Sequence, residues 1–242
     1  MTALAMTGVL ADFRPRFFDG LTPSDLRVVV ASATQRRVRA NSVVTNHGDL
    51  AQQFFLLTRG RARFFYITEG GRKLILHWLA PGEIFGAMAL LPSPYPYLVS
   101  TEMVKDSLVL VWDRATIQQQ VARYPQLALN AMTTAAEYLS MCVASRVAMV
   151  CQNARERLAE VLLNLARGIG QEVEGGIELD ITNEELANAA NITPFTTSRL
   201  LSEWRRTGAV IKSRGKLIVR SPDRLFVRRK GSGTVWQMHK RE

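Results

Sequence analysis

Residues 181–210 read ITNEELANAANITPFTTSRLLSEWRRTGAV, and this stretch contains the start signals of two helices. Thr182 is followed three positions later by Glu185, the capping box that opens a helix. Thr193 and Pro194 open a second helix, because threonine caps helix N-termini and proline is tolerated at the first helical position. Gly208 stands where that helix should end. Two helices joined by a short turn predict a helix-turn-helix.

A basic β-hairpin is predicted directly after these helices. Residues 209–212 (AVIK) and 216–220 (KLIVR) flank Ser213, Arg214 and Gly215. The major groove of duplex DNA admits one helix, and a cationic hairpin beside it can contact the adjacent phosphates. The pattern therefore predicts a winged helix-turn-helix that binds double-stranded DNA.

The distribution of charge supports a polyanionic partner. The chain carries a formal charge of +10, and residues 193–242 hold thirteen basic and three acidic residues, so the whole excess lies there. Phosphate binding explains such a concentration. A solvated basic tail would account only for residues 228–242, and an αα-hairpin buried in a core would not explain why the motif coincides with the excess.

Short apolar runs dominate residues 43–112. FFLLT, ARFFYIT, LILHWL and SLVLVW are separated by turn residues, among them Glu69-Gly70-Gly71-Arg72, which suits a hairpin because glycine tolerates positive φ. Several such strands at this spacing predict an antiparallel sandwich or barrel.

A long helix is predicted after Pro125. Its apolar residues recur in steps of three and four, which places them in one stripe. Such a stripe is a candidate dimer interface, and packing against the β domain of the same chain is the alternative. A new helix starts at Asn153 with the capping-box acid Glu156, so we expect a break near Gln152. The predicted dimerisation residues are Met132, Ala136, Leu139, Val143, Val147 and Val150.

Composition and motifs exclude other classes of protein. Cys142 and Cys151 are too few for a disulfide framework or an ordinary iron–sulfur cluster, and we expect both to be buried as small hydrophobic residues. No run approaches the roughly 18 apolar residues of a membrane span, and no signal peptide is recognisable, so we expect a cytoplasmic protein with no membrane contact. Catalytic and metal-binding signatures are absent, which argues against an enzyme.

The order of these elements resembles the CRP/FNR family of bacterial transcription regulators. The resemblance rests on residues 181–210, on Gly48 and Gly60 around one strand, and on the turn Gly82-Glu83-Ile84-Phe85-Gly86, and it covers residues 17–220. It implies an α+β fold with an N-terminal antiparallel β-roll of the jelly-roll type, a long dimerisation helix and a C-terminal winged helix-turn-helix. The expected divisions are a sensor domain (1–124), a dimerisation helix and hinge (125–152), a DNA-binding domain (153–228) and a basic tail (229–242).

The resemblance also implies a homodimer that binds palindromic DNA. The family often reads bases with a glutamate, a serine or glycine, and an arginine, and the matching positions here are Phe195, Ser198 and Arg199. Arginine suits guanine, whereas Phe195 would contact a thymine methyl or else face the core. The predicted DNA-binding residues are Thr193, Pro194, Phe195, Thr196, Thr197, Ser198, Arg199, Arg205, Lys212, Arg214 and Lys216.

The expected effector pocket lacks the polar groups of cyclic-AMP binders in this family. Those proteins use a glutamate, an arginine-serine pair and a threonine-serine pair, whereas the matching positions here are Ala87, Tyr97-Leu98 and Cys142-Val143. We therefore disfavour cyclic AMP, and iron–sulfur sensing is disfavoured by the cysteine count. A self-filled pocket, an apolar ligand, and haem with His77 as a ligand stay open. The predicted pocket residues are Gly82, Glu83, Ile84, Phe85, Gly86, Ala87, Met88, Tyr97, Leu98, Cys142 and Val143.

A rival hypothesis is a regulatory module that acts on a protein or RNA, but single-stranded RNA binders use aromatic platforms rather than a groove-reading helix. RNA polymerase is a further candidate partner of a regulator of this kind. The sequence predicts no metal site.

Overall fold

The computed structural model describes residues 15–213 and 216–226, and the first half of these residues forms two four-stranded antiparallel sheets. One sheet has the order β1-β8-β3-β6 and the other β2-β7-β4-β5. The tail from residue 227 onward and Arg214 at the wing tip lie outside the described residues. The strands are β1 (Thr34–Val38), β2 (Val43–Thr45), β3 (Gln53–Arg59), β4 (Ala62–Ile67), β5 (Lys73–Leu79), β6 (Ile84–Phe85), β7 (Ser100–Met103) and β8 (Ser107–Asp113).

The apolar run of β3 holds this β-roll together because both of its faces are covered. Phe54 packs against Phe17 and Trp112, with ring centroids 4.8 and 5.8 Å away. Phe55 points to the other side and stacks on Phe85 at 4.5 Å. All five rings are buried. The apolar runs quoted above are all observed as strands.

Glycine closes the turn after β6. Gly86 has a φ of +76°, and a Cβ atom there would lie 2.7 Å from the carbonyl oxygen of Gln53. Any larger residue would therefore displace β3, and the left-handed backbone adds strain for a non-glycine residue.

Six α-helices complete the described chain. Two short ones, α1 (Pro23–Ala31) and α2 (Arg114–Arg123), flank the β-roll. The long helix α3 (Gln126–Cys151) ends where predicted, and α4 (Ala154–Ile169) begins with the expected capping box of Asn153 and Glu156. The helix-turn-helix consists of α5 (Asn183–Ala189) and α6 (Pro194–Arg206).

The wing belongs to a larger sheet than the predicted two-stranded hairpin. β9 (Gln171–Val173) and β10 (Gly176–Asp180) join β11 (Val210–Ser213) and β12 (Lys216–Val219) in the order β11-β12-β10-β9. Trp204 of α6 lies at the centre of this second core, and its Nε1 donates to the carbonyl oxygen of Leu225. The fold class expected from the sequence, a β-roll followed by a long helix and a winged helix-turn-helix, is confirmed.

The β-roll and the C-terminal half are in direct contact. Trp78 of β5 is 7% exposed and belongs to the hydrophobic core formed by α4, α5 and α6. Beside it, Arg63 Nη1 lies 2.7 Å from Glu185 Oε1, and Arg63 Nε lies 2.8 Å from Glu102 Oε2. Lys73 also binds Glu102, at 2.6 Å. The outer face of β4, β5 and β7 therefore binds the first helix of the helix-turn-helix.

A second group of polar contacts extends this interface. The guanidinium group of Arg61 donates to the backbone oxygens of Asp180 and Ile169, and Lys105 Nζ lies 2.6 Å from Asp180 Oδ2. The hydrogen bond from Lys105 is the main reason why the pKa of Asp180 lies below its ordinary value. The end of the roll that carries Lys105 is thus fixed beside β10.

None of the helices in the described residues combines the length and apolar character needed to cross a membrane. Within the same residues, no three acidic, histidine or cysteine side chains are grouped so that they could hold a metal ion.

Candidate nucleic-acid interface

The exposed face of α6 is built by its N-terminal cap. Thr193 Oγ1 accepts a hydrogen bond from the backbone N–H of Thr196 at 3.1 Å, and Pro194 occupies the first helical position. Phe195 is 79% exposed, so the alternative that it faces the core is wrong. Ser198 and Arg199 are exposed on the same helix. The three side chains expected to read bases therefore project from the protein surface.

Thr197 does not belong to this surface. Its side chain is fully buried, and its hydroxyl donates to the carbonyl oxygen of Thr193 at 3.2 Å. The prediction that Thr197 contacts DNA is therefore wrong. The physical reason is the helical period, since Thr197 lies on the same face as Leu200, Leu201 and Trp204, which anchor α6 in the core.

Asn183 joins the exposed face of α6 to the wing. Its Nδ2 donates to Ser198 Oγ at 3.0 Å, and its Oδ1 accepts from Lys212 Nζ at 3.1 Å. The residue was not predicted to be functional, because its position just after Thr182 in a capping box suggests only a helix start. The three polar side chains form one hydrogen-bonded row between the recognition helix and the wing.

Several cations near this row retain free bonding capacity. Arg199 Nη1 lies 3.2 Å from Glu203 Oε1 across one turn, and Glu203 is also bound by Arg155 at 2.6 Å. An ion pair at the surface contributes only about 0–1 kcal/mol. Arg199 can therefore exchange Glu203 for another hydrogen-bond acceptor at a small cost in free energy. Arg205 is exposed, and within the described chain no carboxylate pairs with it.

Lys216 at the base of the wing has a firmer partner. Its Nζ lies 2.6 Å from Glu178 Oε1, and this hydrogen bond raises the pKa of Lys216. The lysine is exposed and stays cationic at neutral pH. It adds one positive charge on the strand that leads out of the wing turn.

The long helix carries a bare apolar stripe. The exposed fractions are 67% for Met132, 66% for Leu139, 56% for Val143, 54% for Val147 and 77% for Val150. The stripe therefore does not pack on the β domain of its own chain. Ala136, Cys142 and Cys151 are exposed as well, so the expectation that both cysteines are buried is wrong for the single chain.

On the side of α3 away from the stripe, Tyr138 packs against the core of the β-roll. Its ring lies 4.7 Å from that of His77 and 5.4 Å from that of Phe64. The hydroxyl of Tyr138 is buried, with no hydrogen-bond partner among the described residues. Burial is the main reason why the pKa of Tyr138 is raised. His77 Nε2 also lies 3.4 Å from Glu83 Oε1.

Comparisons with known proteins agree with this geometry. The family models of the cyclic nucleotide-binding domain and the Crp-like helix-turn-helix domain match residues 35–124 and 156–226. The chain belongs to the CRP/FNR family of transcription regulators. CRP/FNR regulators bind DNA, and this function applies to the chain.

Individual CRP/FNR relatives support the assignment over most of their length. The cyclic AMP receptor protein of Thermus thermophilus is 29% identical over 204 residues, which are 84% of this chain and 91% of that protein. The anaerobic regulatory protein of Bacillus subtilis is 23% identical over 209 residues, 85% and 88% of the two chains. The structure of FixK2 from Bradyrhizobium japonicum has a TM-score of 0.69 at 21% identity and covers 80% of this chain and 95% of that one, which shows a common fold.

The pocket residues expected from the CRP/FNR resemblance occupy several environments. Tyr97 is buried, and its hydroxyl donates to the backbone oxygen of Gln53 at 2.9 Å. Leu98 is 55% exposed. Cys142 and Val143 are also exposed, on α3. The remaining predicted residues lie in and around β6: Ile84 and Phe85 of this strand are core residues, and Gly82, Glu83, Gly86, Ala87 and Met88 on either side of it are partly buried.

Tyr138 is the pocket residue that sequence reasoning missed. It is one position removed from Leu139 of the stripe, so the helical pattern marks it only as a neighbour of the dimer residues. Its contacts with His77 and Phe64 connect α3 to two strands whose contacting residues are 61 and 74 positions earlier in the chain, and no local pattern records such contacts.

The unpartnered hydroxyl yields a stability prediction. Tyr138→Phe should raise the free energy of unfolding by about 1 kcal/mol, because an unsatisfied buried hydroxyl costs about 1–3 kcal/mol. Urea denaturation of the wild type and the variant measures the change. Tyr95→Phe, at a side chain 48% exposed, is the control and should change little. A loss of stability in Tyr138→Phe would mean that the hydroxyl has a bonding partner in solution.

Proposed function

We propose that this CRP/FNR regulator is a homodimer that binds palindromic duplex DNA and reads each half-site with Phe195, Ser198 and Arg199. The observation that carries the proposal is the exposed row on α6 beside Asn183 and Lys212. A helix that presents such side chains beyond its own core suits the major groove, and a basic wing suits the neighbouring phosphates.

Dimerisation is proposed from the apolar stripe of α3. The helix has 26 residues and is about 39 Å long at 1.5 Å per residue, so two copies offer a long seam. Large apolar side chains exposed in a row usually mark an interaction surface. A twofold dimer places its two recognition helices about 34 Å apart, which is one turn of DNA, and this symmetry requires a palindromic site.

Base recognition differs from the pattern common in the family. Arg199 can donate two hydrogen bonds to a guanine, and Ser198 can contact a base or a phosphate. Phe195 cannot accept a hydrogen bond from cytosine, so we propose that it contacts the methyl group of a thymine. The half-site should therefore contain a guanine and a nearby thymine.

Binding is proposed to need no added effector. The ring of Tyr138 packs against His77 and Phe64 of the roll. The polar side chains that hold cyclic AMP in the family are replaced here by Ala87, Tyr97-Leu98 and Cys142-Val143. Haem would have to displace both Tyr138 and Glu83 from His77. These contacts favour a regulator in which the effector pocket is filled by one of the protein's own side chains.

Selection of duplex DNA from a random pool, with purified protein and no ligand, tests the proposal. We expect enrichment of a palindrome. Arg199→Ala should then bind it about 10-fold or more weakly, since each bidentate base contact contributes about 1–3 kcal/mol of discrimination. Arg206→Ala, at an exposed arginine in the last turn of α6, is the matched control. If Arg199→Ala kept the wild-type preference, the base-reading role of Arg199 would be wrong.

A further inference from the structure

Three arginines without acidic partners are grouped at one end of the β-roll. Arg37 of β1 and Arg59 of β3 both pair with Leu108, one on each side of β8. With strands about 4.8 Å apart, their Cα atoms lie about 10 Å from each other. Arg39 follows two residues after Arg37. All three are exposed, and among the described residues no carboxylate lies within ion-pair distance of any of them. We call this group the roll arginines.

The β-roll carries an excess of positive charge, and the roll arginines are part of it. Residues 1–124 hold 14 basic and 9 acidic residues, whereas residues 125–192 hold 4 basic and 9 acidic residues, so that residues 1–192 are neutral as a whole. Asp106, next to Lys105 at this end of the roll, accepts a hydrogen bond from the backbone N–H of Ala40 at 2.8 Å. Unpaired positive charges grouped at one end of a domain that already has a positive excess indicate an anionic partner.

The roll arginines lie beside the DNA-binding wing. Lys105, in the turn that leads into β8, binds Asp180 at 2.6 Å. Asp180 pairs with Lys216 in the wing sheet, and Lys216 pairs with Ser213 across the wing turn. On the roll side, Ser107 pairs with Val38, the residue between Arg37 and Arg39. A short path of paired residues thus connects the wing turn to the roll arginines.

The same end of the roll is close to the recognition helix. Asn183, which binds both Ser198 and Lys212, is three residues from Asp180. A duplex bound by the recognition helix and the wing would therefore lie near this end of the roll. Its phosphates carry one charge per 1.7 Å of helix axis, so about 10 Å of further duplex brings about six more charges to this end.

We propose that the roll arginines bind phosphates of the DNA that flanks each half-site, so that the interface extends from the winged helix-turn-helix onto the β-roll. The proposal rests on the proposed function, since it assumes a duplex bound by α6 and the wing. The contacts carry no sequence information, because they reach only the backbone of the DNA. They make affinity depend on the length of the duplex.

Binding to two lengths of DNA tests the proposal. The full-length protein is titrated with the selected palindrome in a short duplex that ends at the half-sites and in a duplex with about one further helical turn on each side. The wild type should bind the long duplex about 10-fold or more tightly. Arg37→Gln/Arg39→Gln/Arg59→Gln should bind both duplexes alike and match the wild type on the short one.

Salt dependence provides a second measure. The slope of log K against log salt falls by about 0.9 for each phosphate that the protein no longer neutralises, so removing six guanidinium groups from a dimer should lower it by up to about five on the long duplex. Arg27→Gln is the control. Arg27 is an exposed arginine on α1, which contacts β8 at Trp112, the other end of the strand.

The outcomes separate this inference from the proposed function. Equal binding of both duplexes by the wild type, or wild-type affinity of the triple variant for the long duplex, would overturn it and assign the arginines to an acidic protein surface. An equal loss on both duplexes would also overturn it, because the effect would then come from the fold. Failure of the wild type to bind the short palindrome would instead reject the proposed function, and this inference with it.

Discussion

Leu139→Glu/Val143→Glu is expected to convert the protein to monomers and to lower its affinity for a palindromic site by about 100- to 10,000-fold. The two side chains are 66% and 56% exposed on one face of α3, and a second copy would cover them. Four glutamates facing one another across a seam repel and cannot be desolvated. The monomer then loses the gain that comes from tethering two half-site readers.

Sedimentation equilibrium measures the oligomeric state, and titration of the palindrome measures the affinity. Met141→Glu/Ala145→Glu is the matched control, because both residues are exposed on the same helix but project away from the stripe. A dimeric Leu139→Glu/Val143→Glu protein, or a control that dissociates equally, would contradict the proposed interface.

Arg63→Met is expected to weaken the docking of the DNA-binding half on the β-roll by about 3–5 kcal/mol. Removing one member of a buried ion pair is costly because a charged partner stays behind, and here Glu185 loses its cation while Glu102 keeps only Lys73. Arg63 and Glu102 have side chains 15% and 10% exposed, and Glu185 on α5 is bound by the same guanidinium group. Arg63 also lies over the ring of Trp78, 5.6 Å from its centroid, so the substitution removes a cation–π contact as well.

Calorimetry distinguishes the two states. The wild type should unfold in one transition, whereas Arg63→Met should show a separate, earlier transition of the C-terminal half. Lys105→Met is the control, since the Lys105–Asp180 pair is about half exposed on both sides and such pairs contribute about 0–1 kcal/mol. An Arg63→Met protein with a single transition at the wild-type temperature would contradict the prediction and show that the contacts of Trp78, Arg61 and Lys105 hold the domains together without Arg63.

Acid should weaken the same interface. Burial by itself raises the pKa of Glu102, but hydrogen bonds from Lys73 and Arg63 outweigh it, and the pKa lies below its ordinary value. A carboxyl group with a lowered folded-state pKa contributes stability that is fully present above its ordinary pKa of about 4.3 and is lost as the pH falls through the folded-state value. The interface is therefore at full strength at neutral pH.

Local signals allowed most of the helical structure to be predicted from the sequence. Each helix start forms its hydrogen bonds between residues that are at most four positions apart in the chain. This holds for the capping boxes at Asn153 and Thr182 and for the cap formed by Thr193. The apolar runs of β3 and β8 were recognisable because both of their faces are buried. Such features need no knowledge of distant residues.

Non-local contacts explain what was missed. β1 has the sequence TQRRV, which lacks the alternation of apolar and polar residues that is typical of a strand. At the position where an apolar side chain would be expected over the ring of Phe55, the chain has Arg36. The functional position of Asn183 depends on Ser198 and Lys212, 15 and 29 residues away. The role of Tyr138 depends on two strands of the other domain. Register and packing decide these positions, and a single sequence does not record them.

Trp78 has a consequence for the order of events during synthesis. This tryptophan is encoded more than seventy residues before the helices whose core it completes, and N-terminal domains usually fold first as a chain leaves the ribosome. The β-roll therefore presents a finished aromatic surface to α4, α5 and α6 as they emerge. We therefore expect the DNA-binding half to fold against a surface of the β-roll that has already formed, and to acquire its orientation relative to the roll while it folds.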